Sequence, residues 1–505
     1  SVYSVGNSAQ IGVEDVLQHF DETFIKGKSS LIKLLYIESI ENPQKLLKHA
    51  SSLINKGCRI AAIKAGSSKD GSRAASSHTG AIANSDTAVD ALFKKAGIVR
   101  CYGRNELITV ASVFMYKKLK GKNIAIITHA GGPAVMLTDV LSKKGLQIPE
   151  IKSSESKNLL AELFSGSSVT NPIDFLATGN AEQLETIIDY CEHKFDEIDA
   201  MVVIFGSPGL FNVKDVYAKL DEKIKTCKKP IFPVLPSVEN AKDEIAYFKD
   251  LGNVVFFDEV QFGNALAKAN DTQPIKIEKE KQQNLPTSEI RELIKNSENG
   301  YMSPELTHKL LKAAQIPLVP EVICKTKLEC LFEANKFGFP IVMKVVGPVH
   351  KTDVNGVILN IKNKSQLINS FEKLMAIEEA IAVLLQPMKK GLELFVGAKK
   401  EGSFGHLVAF GLGGIYIEIF KDILTSLAPL SKPTAKEMLK NLKSYKIING
   451  VRNQKGINED AFAEIIEKIS ELVTIAPEIA ELDLNPLFAT EKEVFAVDAR
   501  IRIEK

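Results

Sequence analysis

The residue with the clearest chemical potential is a histidine in a run of small side chains, Gly71-Ser-Arg-Ala-Ala-Ser-Ser-His78-Thr-Gly80-Ala. The chain has only 8 histidines, and small neighbours pack little and leave the backbone mobile. A neutral imidazole can accept a proton or act as a nucleophile near neutral pH. A surface histidine without a role is the alternative, and this segment alone leaves both interpretations open.

A lysine in an apolar, strand-like segment is the second candidate. The segment reads Phe339-Pro-Ile-Val-Met-Lys344-Val-Val. An ammonium group among apolar neighbours must find an anion or lose its hydration at a cost in free energy. A nucleotide phosphate would supply that anion. The alternative is a lysine at a strand edge whose stem lies on the sheet while its charge stays in water.

Acidic and amide side chains near the C-terminus form the third candidate. They occur in Glu481-Leu-Asp483-Leu-Asn485-Pro-Leu and in Val497-Asp498-Ala, two strand-like segments. Oxygens on neighbouring strands could bind one Mg²⁺, which takes few protein ligands and completes its shell with phosphate and water. A glycine-rich run, Phe410-Gly-Leu-Gly-Gly414, adds open backbone nearby, although such glycines also occur in ordinary bulges.

The composition is that of an ordinary globular protein. The 505 residues, 45% hydrophobic and 25% charged, predict three or four domains. A net charge of +2 gives no indication of a nucleic-acid or membrane partner. The 6 cysteines lack a CxxC spacing, so we expect free thiols in the cytoplasm and no zinc site. The start lacks an initiator Met and signal-peptide features, which suggests a trimmed or truncated chain.

Apolar strands alternate with amphipathic helices from residue 31 to residue 270. This alternation predicts parallel sheets covered by helices on both faces. The pattern restarts near Gly121, so we expect two doubly wound α/β domains, 1–120 and 121–270. The expected apolar strand segments include Leu31–Ile37, Arg59–Lys64, Ile98–Cys101, Lys122–Thr128, Val140–Leu146, Met201–Phe205, Pro230–Leu235 and Val254–Phe257.

The remaining sequence changes character twice. Residues 271–300 are charged and broken by prolines, which predicts a linker. Ser303-Pro304-Glu305 then has the residue order of a helix start. The strand-rich region that follows, 301–505, is predicted to be an α+β domain.

Together these motifs resemble those of one family. Lys344, Gln386-Pro-Met, Glu393, the glycine run and the final Leu-Asp-Leu-Asn-Pro…Val-Asp-Ala pattern are similar to an ATP-grasp domain. More narrowly, the order of motifs along the chain resembles the ADP-forming acyl-CoA synthetases, relatives of succinyl-CoA synthetase. Further motifs carry this resemblance: Tyr36-Ile-Glu38, Ser77-His78-Thr-Gly-Ala, Lys122–Pro133, Asn171-Pro-Ile-Asp174, Phe205–Gly209 and Pro348–Gly356.

The resemblance implies two flavodoxin-like domains before the ATP-grasp domain, and it assigns roles to individual residues. His78 would carry the phosphoryl group as a phosphohistidine, Glu38 would fix its tautomer, and His350 would be a second carrier. Asp483 would support the phosphohistidine at the nucleotide site. ATP or ADP would be bound by Lys344, Gln386, Met388, Glu393, Gly413 and Gly414, and Mg²⁺ by Asn485 and Asp498.

The resemblance also implies an activity and a partner. The activity is that of a ligase that interconverts acyl-CoA, ADP and phosphate with acid, CoA and ATP, with acetate as the expected acyl group. The family's CoA-binding domain is not matched, so we expect it on a partner subunit or on a removed part of the chain, in an oligomer. Two alternatives remain at this point: a regulatory module of a protein acetyltransferase, and a nucleotide-binding scaffold without activity.

Overall fold

A computed structural model gives the fold of two compact units, Ser1–Ile275 and Lys276–Lys505. Among its described residues, no helix is both long and apolar enough to cross a membrane. The residues described are 2–6, 11–68, 70, 85–207, 209, 212–272, 284–347, 355–414, 422–451 and 455–505.

The first unit begins with a three-stranded parallel sheet in the order β1-β2-β3. Asn42 shows how the sequence sets a helix start here, because its side chain accepts a hydrogen bond from the Lys45 N–H and Pro43 follows it. The elements are α1 (Val13–Glu22), β1 (Ile32–Ile37), α2 (Pro43–Asn55), β2 (Arg59–Lys64), α3 (Asp86–Ala96), β3 (Val99–Cys101) and α4 (Arg104–Phe114).

A second parallel sheet, in the order β5-β4-β6-β7, occupies the rest of this unit. Alternate residues of its central strands are buried on opposite faces, which explains their continuous apolar sequence. The elements are β4 (Ile124–Thr128), α5 (Gly131–Lys143), α6 (Glu155–Glu162), β5 (Ile173–Asp174), α7 (Ala181–His193), β6 (Ala200–Ile204), α8 (Lys214–Thr226), β7 (Ile231–Val234), α9 (Lys242–Asp250) and α10 (Glu259–Asp271).

The expected parallel α/β architecture is therefore confirmed, with one strand assignment wrong. Val140–Leu146 is not a strand, because its first four residues form the last turn of α5. Leu137 and Leu141 are buried four positions apart on the same helix, and a short apolar run fits either period. The Val254–Phe257 segment contributes only an isolated bridge, from Phe256 to Val234.

The second unit starts with a four-stranded antiparallel sheet in the order β11-β10-β12-β9. Ser303 begins a helix as the sequence predicted, and its side chain accepts from the Leu306 N–H at 3.3 Å. The elements are α11 (Thr287–Lys295), β8 (Gly300–Tyr301), α12 (Pro304–Ala313), β9 (Val322–Cys324), α13 (Lys327–Phe337), β10 (Ile341–Val346), β11 (Val357–Ile361), α14 (Lys364–Met375) and β12 (Ala382–Pro387).

A larger antiparallel sheet follows, in the order β15-β14-β13-β16-β18-β8, with β17 paired to β16. One face is buried against a long apolar helix, α17. The elements are β13 (Leu392–Lys400), β14 (His406–Leu412), β15 (Ile423–Leu427), α15 (Lys432–Leu439), α16 (Tyr445–Asn449), α17 (Glu459–Ile475), β16 (Ile479–Ala489), β17 (Val494–Ala496) and β18 (Ala499–Ile503).

Two sequence-based boundaries change in this unit. The expected linker 271–300 contains α11, whose Ile290 and Ile294 are buried in the core beneath the larger sheet. Charged residues on the other positions of this amphipathic helix explain why its sequence resembles a linker. The strand-like segment expected around Val497-Asp498 is interrupted. β17 stops at Ala496 and β18 begins at Ala499, so Val497 and Asp498 lie at a break between these two strands.

Candidate nucleotide site

Lys344 and Gln386 lie on one face of the smaller sheet of the second unit. Lys344 pairs with Leu384 and Gln386 pairs with Val342, in the antiparallel register of β10 and β12. The alternate residues of β10 point the other way, into the core under α13 and α14. Lys344 is 5% exposed and Gln386 is 2% exposed, so both polar groups are held inside the unit.

Both side chains hydrogen-bond to the same backbone carbonyl, that of Val497, which lies in the break between β17 and β18. The Lys344 Nζ donates to the Val497 carbonyl oxygen at 2.8 Å, and the Gln386 Nε2 donates to the same oxygen at 3.2 Å. This carbonyl is available because the chain leaves β17 at Ala496 and does not enter β18 until Ala499. A buried ammonium is thereby placed beside Asp498, one of the residues expected to hold Mg²⁺.

The orientation of the Gln386 amide is set by its neighbours. Its Nε2 also donates to Glu321 Oε2 at 2.7 Å, while Glu321 Oε1 lies 3.3 Å from His308 Nδ1. Because both partners of Nε2 are acceptors, the amide oxygen must point away from them. That oxygen is buried and has no hydrogen-bond partner among the described residues. Buried acceptors are usually hydrogen-bonded, so this oxygen can accept a hydrogen bond from a bound ligand.

Asn485 and Asp498 face each other across two antiparallel strands. The register pairs Leu484 with Ala499, and the Val497 N–H donates to the Pro486 carbonyl oxygen at 3.1 Å. Continuing this register places Asn485 opposite Asp498. One amide oxygen and one carboxylate fit Mg²⁺, which keeps most of its shell for phosphate and water. In the described part of the chain, no cluster of three or more acidic, His or Cys ligands occurs.

The glycine run lies against Glu393 on the neighbouring strands β13 and β14. The Gly413 N–H donates to the Glu393 carbonyl oxygen at 2.7 Å. A Cβ on Gly414 would lie 1.7 Å from Glu393 Oε2, and Gly414 has φ +59°. Only glycine therefore fits at this position without displacing the Glu393 carboxylate.

Asp483 lies on the same sheet, opposite Arg500 in the register. Burial is the largest effect and raises the pKa of Asp483 to about 6. Arg500 opposes this rise, while Glu481 and Asp498 add to it. Burial therefore favours the neutral form of this carboxyl group up to a higher pH than in an exposed aspartate.

Two of the predicted residues have less distinctive surroundings. Met388 follows β12, and its N–H donates to the Pro340 carbonyl oxygen at 3.0 Å. Glu38 is exposed at the end of β1 in the first unit, where it accepts from the Tyr36 hydroxyl at 3.4 Å.

Nearby, the buried Lys64 is the last residue of β2, and burial lowers the pKa of its ammonium group. His78 and His350 lie outside the described residues.

Comparisons with known proteins identify the family of the chain. Residues 294–503 match the model of an ATP-grasp domain, and residues 1–114 match a succinyl-CoA ligase like flavodoxin domain. The 4-hydroxybutyrate–CoA ligase [ADP-forming] of Nitrosopumilus maritimus is 29% identical over 97% of this chain and 72% of that protein. The acetate–CoA ligase [ADP-forming] I subunit beta of Pyrococcus furiosus is 36% identical over 42% of this chain and 96% of that protein.

The chain belongs to the ADP-forming acyl-CoA ligase family. It is therefore an enzyme of the ligase class. One solved relative is the Ca. Korarchaeum cryptofilum dinucleotide forming acetyl-coenzyme A synthetase 1, in complex with coenzyme A and Mg-AMPPCP. It is 29% identical over 43% of this chain and 99% of that chain, with a TM-score of 0.37. Relatives of this ligase thus include a protein divided into subunits and one that binds CoA and a magnesium nucleotide.

Three residues of this ligase carry structural features that sequence reasoning missed. Glu321 orients the Gln386 amide, but it lies outside every motif that the sequence displays. Arg500 borders Asp498 and Asp483, and only the register of β16 and β18 reveals it. His129 follows β4, and its Nε2 accepts from the Gly206 N–H at 2.8 Å. Burial lowers the pKa of His129, and its position before Gly131-Gly132 was the available signal.

Proposed function

We propose that this ligase interconverts acyl-CoA, ADP and phosphate with acid, CoA and ATP, with acetate as the acyl group. The observation that carries the proposal is the meeting of Lys344 and Gln386 at Val497, next to the facing pair Asn485 and Asp498. A buried cation beside two oxygen ligands suits a nucleotide whose phosphates must be neutralised and aligned. We assign this step to the 301–505 domain, and we place the flavodoxin-like domains at 1–120 and 121–270.

The nucleotide half of the reaction follows from the residues of this site. When bound by Asn485 and Asp498, Mg²⁺ would neutralise phosphate charge and align the phosphate chain. Lys344 places its ammonium where it can stabilise the charge that develops on the phosphoryl group during transfer. Gln386, Met388, Glu393, Gly413 and Gly414 hold and orient the nucleotide.

The acceptor in this scheme is the imidazole of His78. In the direction of ATP use, an imidazole nitrogen forms a bond to the γ-phosphorus, and the bond to the bridging oxygen breaks as ADP leaves. In the first unit, the Glu38 carboxylate accepts from one ring nitrogen of His78 and so fixes the tautomer in which the other nitrogen can attack. His350 relays the phosphoryl group near the nucleotide, and Asp483 supports the phosphohistidine there. In the direction of ATP formation the same bonds break and form in reverse.

The CoA half requires a further part in this proposal. A relative in which the corresponding region is a separate beta subunit supports a partner subunit or domain that binds CoA. On this scheme the chain alone exchanges phosphoryl groups between nucleotide and histidine, and acyl-CoA chemistry needs the oligomer with its partner. The six cysteines are buried free thiols, which suits our assignment to the cytoplasm.

The test is incubation of the chain with labelled ATP and Mg²⁺, followed by assay of acid-labile, base-stable protein phosphate. We expect label in the wild type and none in His78→Ala. Label that survives in His78→Ala but is lost in His350→Ala would make His350 the first acceptor. If the wild type binds ATP but takes no label with or without a CoA-binding partner, the phosphohistidine scheme is wrong.

A further inference from the structure

A cavity of about 280 Å³ borders the nucleotide site in the second unit. Its wall includes Tyr301, His308, Glu321, Asp498 and Arg500, together with the end of β10 at Gly347. A drug-sized ligand usually occupies about 300–1,000 Å³. The cavity therefore has room for a phosphoryl group beside Asp498 and Arg500.

The charged side chains on the wall of this cavity differ in how many hydrogen-bond and ion-pair partners they have. Glu321 accepts from the Gln386 amide at 2.7 Å, and its other oxygen lies 3.3 Å from His308 Nδ1. Arg500 differs, because among the described residues its guanidinium has no hydrogen bond and no ion pair within 4 Å. Its nearest acidic neighbour by register is Asp483 on β16.

Arg502 provides an internal comparison two residues further along β18. Its Nε lies 3.7 Å from Glu481 Oε2, and its guanidinium also pairs with Glu504. Side chains two positions apart on a strand lie on the same face. The two arginines therefore share a strand and a face, and they differ only in their ion-pair partners. Within the described part of the chain, Arg502 is therefore neutralised by acidic partners, whereas the guanidinium of Arg500 lines the cavity without such a partner.

We propose that Arg500 binds the phosphoryl group in transfer, which enters this cavity beside Asp498. The inference rests on the proposed function, since it takes the site to hold a magnesium nucleotide. A guanidinium presents planar N–H donors that match two phosphate oxygens at once. Arg500 forms no covalent bond: it holds the γ-phosphoryl group while the bridging P–O bond breaks and the P–N bond to the acceptor imidazole forms.

The experiment compares the affinity for ATP with the affinity for ADP, both with Mg²⁺, in calorimetric titrations. A background with both His78→Ala and His350→Ala removes the two proposed acceptors and so prevents turnover. The variants made in it are Arg500→Met, Arg500→Lys and the matched control Arg502→Met. We expect Arg500→Met to weaken ATP binding about 10- to 100-fold while ADP binding changes less than about threefold. Arg500→Lys should recover part of the loss, and Arg502→Met should bind both nucleotides as the parent does.

Three results would overturn this assignment. The first is an equal loss of ATP and ADP affinity in Arg500→Met, which indicates a structural role, and the second is no loss at all. Thermal unfolding of each variant shows whether the fold is kept, and Arg500→Lys decides the matter if the methionine variant unfolds. The third is failure of the parent to bind either nucleotide, which would refute the proposed function itself and this assignment with it.

Discussion

The two units of this ligase place their chemical groups in different ways. In the second unit, antiparallel register brings Lys344, Gln386, Asn485 and Asp498 to one strand break, where several are buried and hydrogen-bonded. In the first unit, parallel strands end at one edge of the sheet, and Glu38 stands exposed at the end of β1. This difference fits our proposal that the second unit holds the nucleotide and the first presents the phosphohistidine.

The largest effect should come from removing the buried cation. We expect Lys344→Met to lower the formation of protein phosphate from ATP about 100- to 1,000-fold, because transition-state charge is left unbalanced. ATP binding should weaken as well. Lys399→Met is the control, since that lysine is largely exposed and pairs with Glu401 at the surface. Full labelling of Lys344→Met would show that the second unit does not hold the nucleotide as we propose.

Metal binding is the next expected effect. Asp498→Asn keeps the shape of the side chain but removes the charge that faces Asn485. The Mg²⁺ concentration that gives half-maximal labelling should rise on the order of 10- to 100-fold. Asp460→Asn, at an exposed position that pairs with Lys436, should leave the requirement for Mg²⁺ unchanged. An unchanged requirement in Asp498→Asn would remove this residue from the metal site.

Glu38→Gln tests whether the first unit acts on phosphohistidine formation without affecting the ATP affinity of the second unit. If Glu38 fixes the tautomer of His78, phosphohistidine formation should slow about 10- to 100-fold while the affinity for ATP stays the same. Lys344→Met should affect both quantities. Rapid-quench labelling and titration calorimetry measure them separately. Weaker ATP binding in Glu38→Gln would contradict a role confined to the carrier.

Gly414→Ala tests the packing of the glycine run against Glu393. The added Cβ would lie 1.7 Å from Glu393 Oε2, so the carboxylate must move, and ATP affinity should fall about tenfold. Gly402→Ala is a matched control, because Gly402 also has positive φ, +54°, but has no atom within 4 Å of an added Cβ. Equal ATP affinities in the two variants would contradict a role of the contact between Gly414 and Glu393 in nucleotide binding.

The smallest effect concerns stability and pH. Burial raises the pKa of Asp483 from 3.8 to about 6, so the folded protein holds this proton more tightly than the unfolded chain. The cost of ionising Asp483 is absent below pH 4, grows as the pH rises, and is complete above pH 6. Asp483→Asn should therefore stabilise the second unit by about 1–2 kcal/mol at pH 7.5 relative to pH 4. Urea unfolding of this variant and of Glu481→Gln at both pH values measures the difference, and an equal gain at both would contradict it.

Much of the fold could be predicted because the relevant signals are local. Alternation of apolar strands and amphipathic helices predicted the parallel sheets, and Ser303-Pro304 predicted a helix start. The errors also have local causes. Val140–Leu146, whose first four residues form the last turn of α5, was assigned to a strand, since short apolar segments fit both periods. The charged surface of α11 was taken for a linker, although Ile290 and Ile294 are buried.

By itself, the sequence determined which residue types are available for chemistry and in which order they occur, because motifs such as Leu-Asp-Leu-Asn-Pro are contiguous. Only the tertiary structure decided that Lys344 and Gln386 share the Val497 carbonyl, 153 and 111 residues away along the chain. It also decided that Asp483 titrates near pH 6 and that Arg500 lacks the acidic partners of Arg502. These properties depend on strand register and burial, which arise from pairing between distant segments and leave no local mark in the sequence.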